Sequence, residues 1–399
     1  MKTILVHQAL IPNPADAPKL CPFGAIAFQE GSVSITEQCR LCLVCVKKGP
    51  RGAFELQEEQ ATSQRPVIDR EKWQGILVYV ERYGRSIHPV SLEMIGKAHE
   101  LADKLGQPVY AIVAGDAVAQ VVEELAHYPV DVAYVYEHPA FKDFRIEPYT
   151  AALEDAIGTL HPSAVLVGGT NIGRMLAPRT AARVRTGLTA DCTFLDIQKN
   201  GDLDQIRPAF GGNIMAHIRT PNHRPQFATV RYKIFDAPSR SPQAGQLAVV
   251  HRTLREQSLH SAVSVLSETP KGAGVFIEDA DVVVAVGKGI GKRENIGLFE
   301  TLATKLHGQL ACTRPLVEDG WIDPRRQIGL SGRTVKPKLI IACGISGSVQ
   351  FVAGMKSSDC IVAINNDPQA AIFNVAHIGI VGDVFSIVPA LLDKLAKRG

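Results

Sequence analysis

The sequence lacks the features that mark membrane proteins and nucleic-acid-binding proteins. It contains no apolar run long enough to span a bilayer, and the apolar stretch at its start is too short and too interrupted for a signal peptide. Its net charge of +3 is too small to predict a nucleic acid or an anionic membrane as partner. A disulfide scaffold is excluded because only 8 cysteines are spread over 399 residues, and we therefore expect a reducing, cytoplasmic setting.

Cysteine is also missing from particular positions of a motif near the N-terminus. Cys39, Cys42 and Cys45 follow the C-x2-C-x2-C spacing of bacterial ferredoxins, in which a fourth cysteine and a proline come next. Here Gly49 holds the place of the fourth cysteine, and the expected proline follows it. Upstream, Cys21 is also followed by proline, as the last cysteine of a second run would be.

The missing cysteines all belong to one cluster. In two-cluster ferredoxins, the fourth cysteine of each run binds the cluster of the other run. At the spacing of the motif, the absent ligands fall at Ile11, Pro14, Ala17 and Gly49. The complete set is Cys21, Cys39, Cys42 and Cys45. The sequence therefore predicts one 4Fe–4S cluster and a protein that passes single electrons.

Zinc is the main alternative use of these cysteines. Zinc sites usually combine one C-x2-C pair with a second, distant pair, which a third cysteine two residues further on does not match. A disulfide knot would need an oxidising compartment and a small domain. The remaining cysteines, which we expect to be buried free thiols, are Cys192, Cys312, Cys343 and Cys360.

The pattern along the chain predicts an α/β protein with two doubly wound, mostly parallel α/β domains after a small ferredoxin-like α+β iron–sulfur module. Residues 1–60 form the module, and residues 61–72 form a polar linker. Alternating apolar strands and amphipathic helices predict the α/β domains at residues 73–265 and 270–399. In the module we expect two strand pairs, which are Lys2–His7 with Ala53–Gln57 and Ala25–Gln29 with Ser32–Thr36.

Two finer predictions concern the first α/β domain. Ser91 is expected to be the N-cap of the helix that follows the strand Ile76–Val80. The segment from Gly169 to about Val263 is expected to add antiparallel strands, with Gln226–Tyr232 and Leu247–Thr253 as its extended runs.

In the second α/β domain, three polar turns follow predicted parallel strands. They are Cys343–Ser348, Ile364–Pro368 and Gly382-Asp383. Open α/β sheets bind ligands at this edge, so the three turns together favour a cofactor over ordinary turn chemistry. Gly287–Gly291 matches neither the Rossmann fingerprint nor the P-loop, and both phosphate contact and a tight strand-to-helix turn remain open for it.

These stretches carry a family resemblance. From Gly173 to Asp383 the chain resembles the alpha subunit of an electron-transfer flavoprotein. The matching segments are G-R-M-L-A-P-R-T-A-A-R (173–183), T-G-L-T-A-D-C-T (186–193), R-P-A-F-G-G-N-I-M-A (207–216), P-Q-F-A-T-V-R (225–231), A-C-G-I-S-G-S-V-Q-F-V-A-G-M (342–355) and A-I-N-N-D-P-Q-A-A-I-F (363–373).

The resemblance implies FAD in the C-terminal domain and an obligate beta subunit. Members with a ferredoxin-like module resemble flavin-based electron-bifurcating enzymes of anaerobes, in which a second flavin in the beta subunit reacts with NADH. The implied partners are soluble ferredoxin and an FAD-dependent dehydrogenase of the lactate (2-hydroxyacid) or acyl-CoA type. The alternative is a non-bifurcating electron-transfer flavoprotein of an acyl-CoA dehydrogenase or reductase system, with the cluster as a simple relay. A rival of another class has purely structural cofactors.

By the same resemblance, nine residues are expected to contact FAD, and no catalytic residue is expected. Arg314 matches the arginine that lies over the isoalloxazine ring. Many relatives have histidine where Phe351 stands, which is a departure from the family pattern. The nine are Thr313, Arg314, Ser331, Gly332, Ser346, Gly347, Gln350, Asn365 and Asp383.

Arg314 has a physical purpose beside a flavin. A unit charge about 4 Å from the reduced ring is worth roughly 4 kcal/mol at an effective dielectric constant near 20. That energy corresponds to an increase of roughly 170 mV in the one-electron reduction potential of the flavin. The alternative for Arg314 is a surface ion pair with Glu318 or Asp319.

Overall fold

The computed structural model describes residues 2–29, 31–36, 38–58, 68–209, 214–268 and 276–397. The chain divides into two compact units, Met1–Val67 and Ile68–Gly399. Most of the predicted linker lies outside the described residues, and its end forms a short 3-10 helix at Arg70–Lys72. Within the described ranges, no helix is both long and apolar enough to cross a membrane.

The N-terminal unit contains the two predicted strand pairs. Lys2–Val6 pairs antiparallel with Phe54–Glu58, and Ile26–Gln29 pairs antiparallel with Ser32–Ile35. The helical segments are Gln8–Leu10 and Pro14–Leu20, which are 3-10 helices, and the α-helix Val44–Lys48. Ile4, Ile26, Val33, Ala53 and Phe54 form the small core of this unit.

The positions of the missing second cluster are filled by packing. Ile11 and Ala17 are 7% and 2% exposed and belong to the apolar core. A Cβ atom on Gly49 would lie 2.3 Å from the carbonyl oxygen of Cys45 and 2.9 Å from a ring carbon of Phe54. A cysteine side chain therefore has no room at position 49, and hydrocarbon occupies two of the other positions.

The first α/β domain is built on a seven-stranded sheet in which every pairing is parallel. Its helices cover both faces, so the central strands are apolar throughout. From one edge to the other the strands are Leu188–Cys192, Gln226–Val230, Ala164–Gly168, Ile76–Val80, Val109–Gly115, Val132–Glu137 and Ala248–His251. The α-helices are Pro89–Asp103, Ala119–Leu125, Ile146–Leu160, Asn171–Arg183 and Glu256–Leu259.

Two predictions for this domain are wrong in detail. The segment after Gly169 does add antiparallel strands, which are Phe194–Ile197, Leu203–Ala209 and Ile214–Ile218. The two runs expected to belong to them, at Gln226–Val230 and Ala248–His251, instead join the parallel sheet. The helix begins at Pro89, and its N-cap is His88, whose Nδ1 accepts from the N–H of Val90. Ser91 is buried and instead hydrogen-bonds the backbone of Glu81.

The second α/β domain has a five-stranded, all-parallel sheet. In chain order its strands are Val282–Val286, Gln309–Cys312, Leu339–Cys343, Cys360–Asn365 and Ile378–Val381, and their spatial order is 2-1-3-4-5. The order reverses direction between the first and third strands, and ligands bind at the carboxyl ends beside such a switch point. The α-helices are Ile296–Lys305, Arg314–Glu318, Val349–Val352 and Val384–Ala396.

Two glutamate carboxyl groups, those of Glu81 and Glu93, are buried in the described part of the first α/β domain. Glu81, 7% exposed, accepts a hydrogen bond from the hydroxyl of Thr170, and Glu93, 4% exposed, accepts from the N–H of Lys233. Burial raises the pKa of Glu81 to about 7 and that of Glu93 to about 8. Because both values lie above the ordinary value of 4.5, the folded chain holds these protons at a pH where the unfolded chain releases them. Their contribution to stability is complete below about pH 4.5 and is lost as the pH rises through 7 to 8.

Glu81→Gln is expected to flatten this pH dependence. The amide keeps an acceptor for Thr170 and cannot ionise, so the variant should unfold at the higher temperature at pH 8.5 and match the parent at pH 4. Each pKa unit corresponds to about 1.4 kcal/mol, so the free energy of unfolding of the variant should exceed that of the parent at high pH by on the order of 1 to 3 kcal/mol. Thermal unfolding across this pH range measures it, with exposed Glu123→Gln as the control. Parallel curves for the parent and Glu81→Gln would contradict the prediction.

Candidate functional site

The four predicted cluster ligands line one cavity of the N-terminal unit. Cys21 enters it from the end of the 3-10 helix, and the other three enter from the segment 39–45. Among the described residues that line it, Arg40 is the only polar one apart from the cysteines. The apolar lining consists of Ile4, Pro22, Phe23, Ala25, Ile26, Ile35, Leu41, Leu43 and Val44. Soft thiol ligands that converge on an apolar cavity match what an iron–sulfur cluster requires.

The backbone between the cysteines is held in an uncommon conformation. Leu41 and Leu43 have φ angles of 50° and 59°, in the left-handed region that residues with a Cβ rarely adopt. Both residues line the cavity, and together they wrap the segment 39–45 around it. On the other side, the N–H of Ala25 donates to the Sγ of Cys21 at 3.3 Å. Backbone strain concentrates where function needs a fixed geometry, which supports this segment as a ligand loop.

The four cysteines differ in exposure. Cys45 is 9% exposed, Cys21 and Cys39 are half-buried, and Cys42 is exposed. Burial raises the pKa of Cys45, and repulsion from the nearby Cys39 and Cys42 adds to the increase. In the other unit, Cys192, Cys312 and Cys343 are buried free thiols as predicted, and burial raises the pKa of each to about 12. The prediction is wrong for Cys360, which is half-buried.

Within the described ranges, no three His, Cys, Asp or Glu side chains stand close enough together to hold one metal ion. A zinc ion needs four ligands at bonding distance from one point. The thiolates of a four-iron cluster each bind a different iron atom, so they stand further apart. The cluster ligands themselves remain a prediction.

The second candidate site is the carboxyl edge of the five-stranded sheet. Two glycine-rich turns meet there at the switch point, where the N–H of Gly287 donates to the carbonyl of Cys343 and the N–H of Gly289 donates to that of Gly344, both at 3.0 Å. A Cβ atom on Gly289 would lie 2.6 Å from the Cα of Gly344. This close backbone contact explains the glycines of Gly287–Gly291 as a tight turn.

The turn after Leu339–Cys343 presents Ser346 and Gly347. Gly347 has a φ of +87°, and a Cβ there would lie 2.2 Å from the nitrogen of Ile372, so the position requires glycine. Ser348, not Ser346, caps the following helix by accepting from the N–H of Phe351 at 3.4 Å. The exposed Ser346 hydroxyl is therefore left outside the cap.

Asn365 and Asp383 fix the neighbouring turns of the same edge. Asn365 is 8% exposed, and its amide donates to the carbonyl of Ile345 at 2.8 Å while accepting from the N–H of Asp367 at 2.9 Å. Asp383 is the N-cap of Val384–Ala396 and accepts from the N–H of Phe385 at 3.1 Å. Both therefore hold the edge together, whether or not they also contact a ligand.

Thr313 and Arg314 lie at the end of the neighbouring strand. Thr313 is the N-cap position of the short helix that begins with Arg314. The Nε of Arg314 donates to Glu318 at 2.8 Å, and the Arg314 side chain is 65% exposed. The alternative given for Arg314, a surface ion pair, is therefore present, and its partner is Glu318. Asp319 pairs with Lys288 instead. Because Nε makes this bond, the far end of the guanidinium can still meet a ligand.

The turn with Ser331 and Gly332 packs against the Gln350 backbone. The N–H of Leu330 donates to the carbonyl of Gln350 at 3.0 Å, and the side-chain amide of Gln327 donates to the Ser331 hydroxyl at 2.9 Å. Gln327 belongs to no recognised motif, and sequence reasoning missed it. The structure thus groups Ser331, Gly332 and Gln350 together, and Ser346 with Asn365 along the same edge.

Comparison with known proteins agrees with this architecture. Residues 76–255 match the electron transfer flavoprotein domain, and residues 276–356 match the electron transfer flavoprotein FAD-binding domain. The electron transfer flavoprotein subunit alpha of Thermoanaerobacterium thermosaccharolyticum is 40% identical over 326 residues, covering 82% of this chain and 98% of that protein. Protein FixB of Clostridium saccharobutylicum is 42% identical over 321 residues, covering 80% of this chain and 96% of that protein.

One relative extends the match into the N-terminal unit. Lactate dehydrogenase (NAD(+),ferredoxin) subunit LctC of Acetobacterium woodii is 50% identical over 378 residues, covering 94% of this chain and 89% of that protein. The match covers 378 residues, but only 324 residues follow Gly75. It therefore includes much of the N-terminal unit. The chain belongs to the electron transfer flavoprotein alpha-subunit family.

Proposed function

We propose that this chain carries FAD and one 4Fe–4S cluster and passes single electrons between an NADH-reacting flavin in a beta subunit, ferredoxin and a partner dehydrogenase. The observation that carries the proposal is the position of Cys21, Cys39, Cys42 and Cys45 around one apolar cavity in an alpha-family chain. Thiolates are the ligands that iron–sulfur clusters use, and the cluster would supply one-electron chemistry when bound.

The proposed FAD site is the carboxyl edge of the second α/β domain. It is supported by the match to the FAD-binding domain and by the turns that converge beside the switch point. Ser346 and Gly347 would meet the phosphates, since N–H groups and hydroxyls at such turns favour anions. Thr313, Ser331, Gly332 and Gln350 would hold the ring with Arg314, and Asn365 and Asp383 would hold the adenosine end.

The proposed physiological role is flavin-based electron bifurcation in the cytoplasm. LctC is by its name a subunit of a lactate dehydrogenase that uses NAD and ferredoxin, which favours a 2-hydroxyacid dehydrogenase as partner over an acyl-CoA type. In this reading, the chain works in a heterodimer with the beta subunit and is not active alone. A non-bifurcating alpha subunit with the cluster as a simple relay is the second candidate, since other relatives bear only the alpha-subunit name.

Electron stoichiometry tests the proposal. The purified complex of this chain with a beta subunit and a partner dehydrogenase is supplied with NADH under anaerobic conditions. Bifurcation predicts that NADH is oxidised only when ferredoxin and the organic acceptor are both present. Full oxidation of NADH with one acceptor alone would contradict bifurcation and favour the non-bifurcating subunit, in which the cluster is a simple relay. A flavin and a cluster that never change redox state during turnover would leave both cofactors purely structural.

A further inference from the structure

Phe23, Arg40, Leu41 and Cys42 are exposed residues of the cysteine cavity's lining, and we call these four residues the Cys42 rim. Phe23 is 43% exposed and Leu41 is 38% exposed, although both are large apolar residues. The Arg40 guanidinium carbon lies 4.9 Å from the centre of the Phe23 ring, a cation–π contact that ties the two side chains together. All four residues line the cavity.

The rim is the accessible side of the proposed cluster. Cys45 is packed in the core, Cys21 and Cys39 are half-buried, and Cys42 is the one exposed residue of these four. Electron transfer between proteins needs close approach of the redox centres. A partner that approaches at Cys42 meets the cluster through one exposed ligand, whereas at Cys45 it would meet the packed core.

The chain that follows Cys39 is positively charged. Between Cys39 and Arg51 the sequence has four basic residues and no acidic residue. Arg40 is part of the rim, Lys47 and Lys48 end the helix that carries Cys45, and all four basic side chains are exposed. Complementary charge speeds encounter and selects partners of opposite sign. Exposed apolar side chains beside the charge give such a contact its buried centre.

We propose that the Cys42 rim is the docking surface for a small acidic iron–sulfur electron carrier. This inference rests on the proposed function and adds the place and chemistry of the contact. One electron passes between the cluster and the carrier, so that one centre is oxidised by one electron while the other is reduced by one, and no bond forms or breaks. Arg40 supplies charge at the contact, and Phe23 and Leu41 supply apolar area.

The test compares two charge reversals in the full, iron-loaded complex. Arg40→Glu changes the rim, while Lys19→Glu makes the same change of net charge on the Pro14–Leu20 helix, where Lys19 pairs with Asp16. Binding of a purified acidic two-cluster ferredoxin is measured by calorimetry at low and high salt. We expect Arg40→Glu to weaken binding about tenfold at low salt, Lys19→Glu to weaken it about twofold or less, and the difference to shrink at high salt.

Iron content and a second variant separate the possible failures. Phe23→Ser removes apolar area without a charge change, and it should weaken binding at both salt concentrations. Equal effects of Arg40→Glu and Lys19→Glu, with iron retained, would overturn the docking surface and leave the proposed function intact. A parent complex that holds no iron would overturn the proposed function itself.

Discussion

Cys42→Ala is expected to abolish the cluster and leave the flavin in place. The parent should contain about four irons per chain, and the variant close to none, because a four-iron cluster needs all four thiolates. Reduction of ferredoxin should fall by at least about 100-fold, since loss of a ligand costs more than the 10–100-fold typical of outer-shell changes. Cys42 is exposed, so its side chain contributes little to the packing of the N-terminal unit.

FAD should remain because its proposed ligands lie in the other compact unit, Ile68–Gly399. Iron analysis, visible absorption and flavin content, measured on the same anaerobic preparation, check both halves of the expectation. Cys360→Ala is the matched control, since it removes a half-buried thiol from the second α/β domain and should keep the full iron content. Loss of FAD together with iron in Cys42→Ala would show that the two cofactors do not bind independently.

The parts of the fold that the sequence predicts correctly are those with local, repeated signals. Parallel strands buried on both faces are apolar throughout, and the helices between them show a 3.6-residue period, so the strand Ile76–Val80 agrees with the prediction at both ends. The hairpin of Ile26–Gln29 with Ser32–Ile35 is equally local, whereas the pairing of Lys2–Val6 with Phe54–Glu58 joins distant segments. The cysteine spacing is local too, and it selects four residues that the fold brings to one cavity.

The parts that sequence misses depend on contacts between distant segments. Gln226–Val230 looks like an antiparallel addition until it pairs with Ala164–Gly168, more than fifty residues earlier. Ser91 has the side chain of an N-cap, but its hydroxyl is used by the backbone of Glu81, and the imidazole of His88 caps the helix instead. The exposure of Cys42, on which the proposed docking surface rests, follows from packing around the cavity and has no sequence signature.

Replacing Arg314 with alanine is expected to lower the reduction potential of the bound FAD without loss of the flavin. Reduction adds negative charge to the ring, and a guanidinium beside it stabilises that charge. At about 4 Å and an effective dielectric constant near 20, the interaction is worth roughly 4 kcal/mol, or roughly 170 mV. Arg314 is 65% exposed and paired with Glu318, so screening reduces this upper bound, and we expect a decrease of several tens of millivolts.

Glu318→Gln is the matched variant because it changes the same ion pair from the other side. In the parent, the Glu318 carboxylate accepts from the Nε of Arg314 at 2.8 Å and offsets part of the positive charge of Arg314. Neutral glutamine keeps an acceptor for Arg314 and removes the offset, so the potential should rise by less than it falls in Arg314→Ala. A redox titration of each holoprotein measures both shifts. If Arg314 only completes a surface ion pair, neither variant should move the potential, whereas opposite shifts require its charge to act on the flavin.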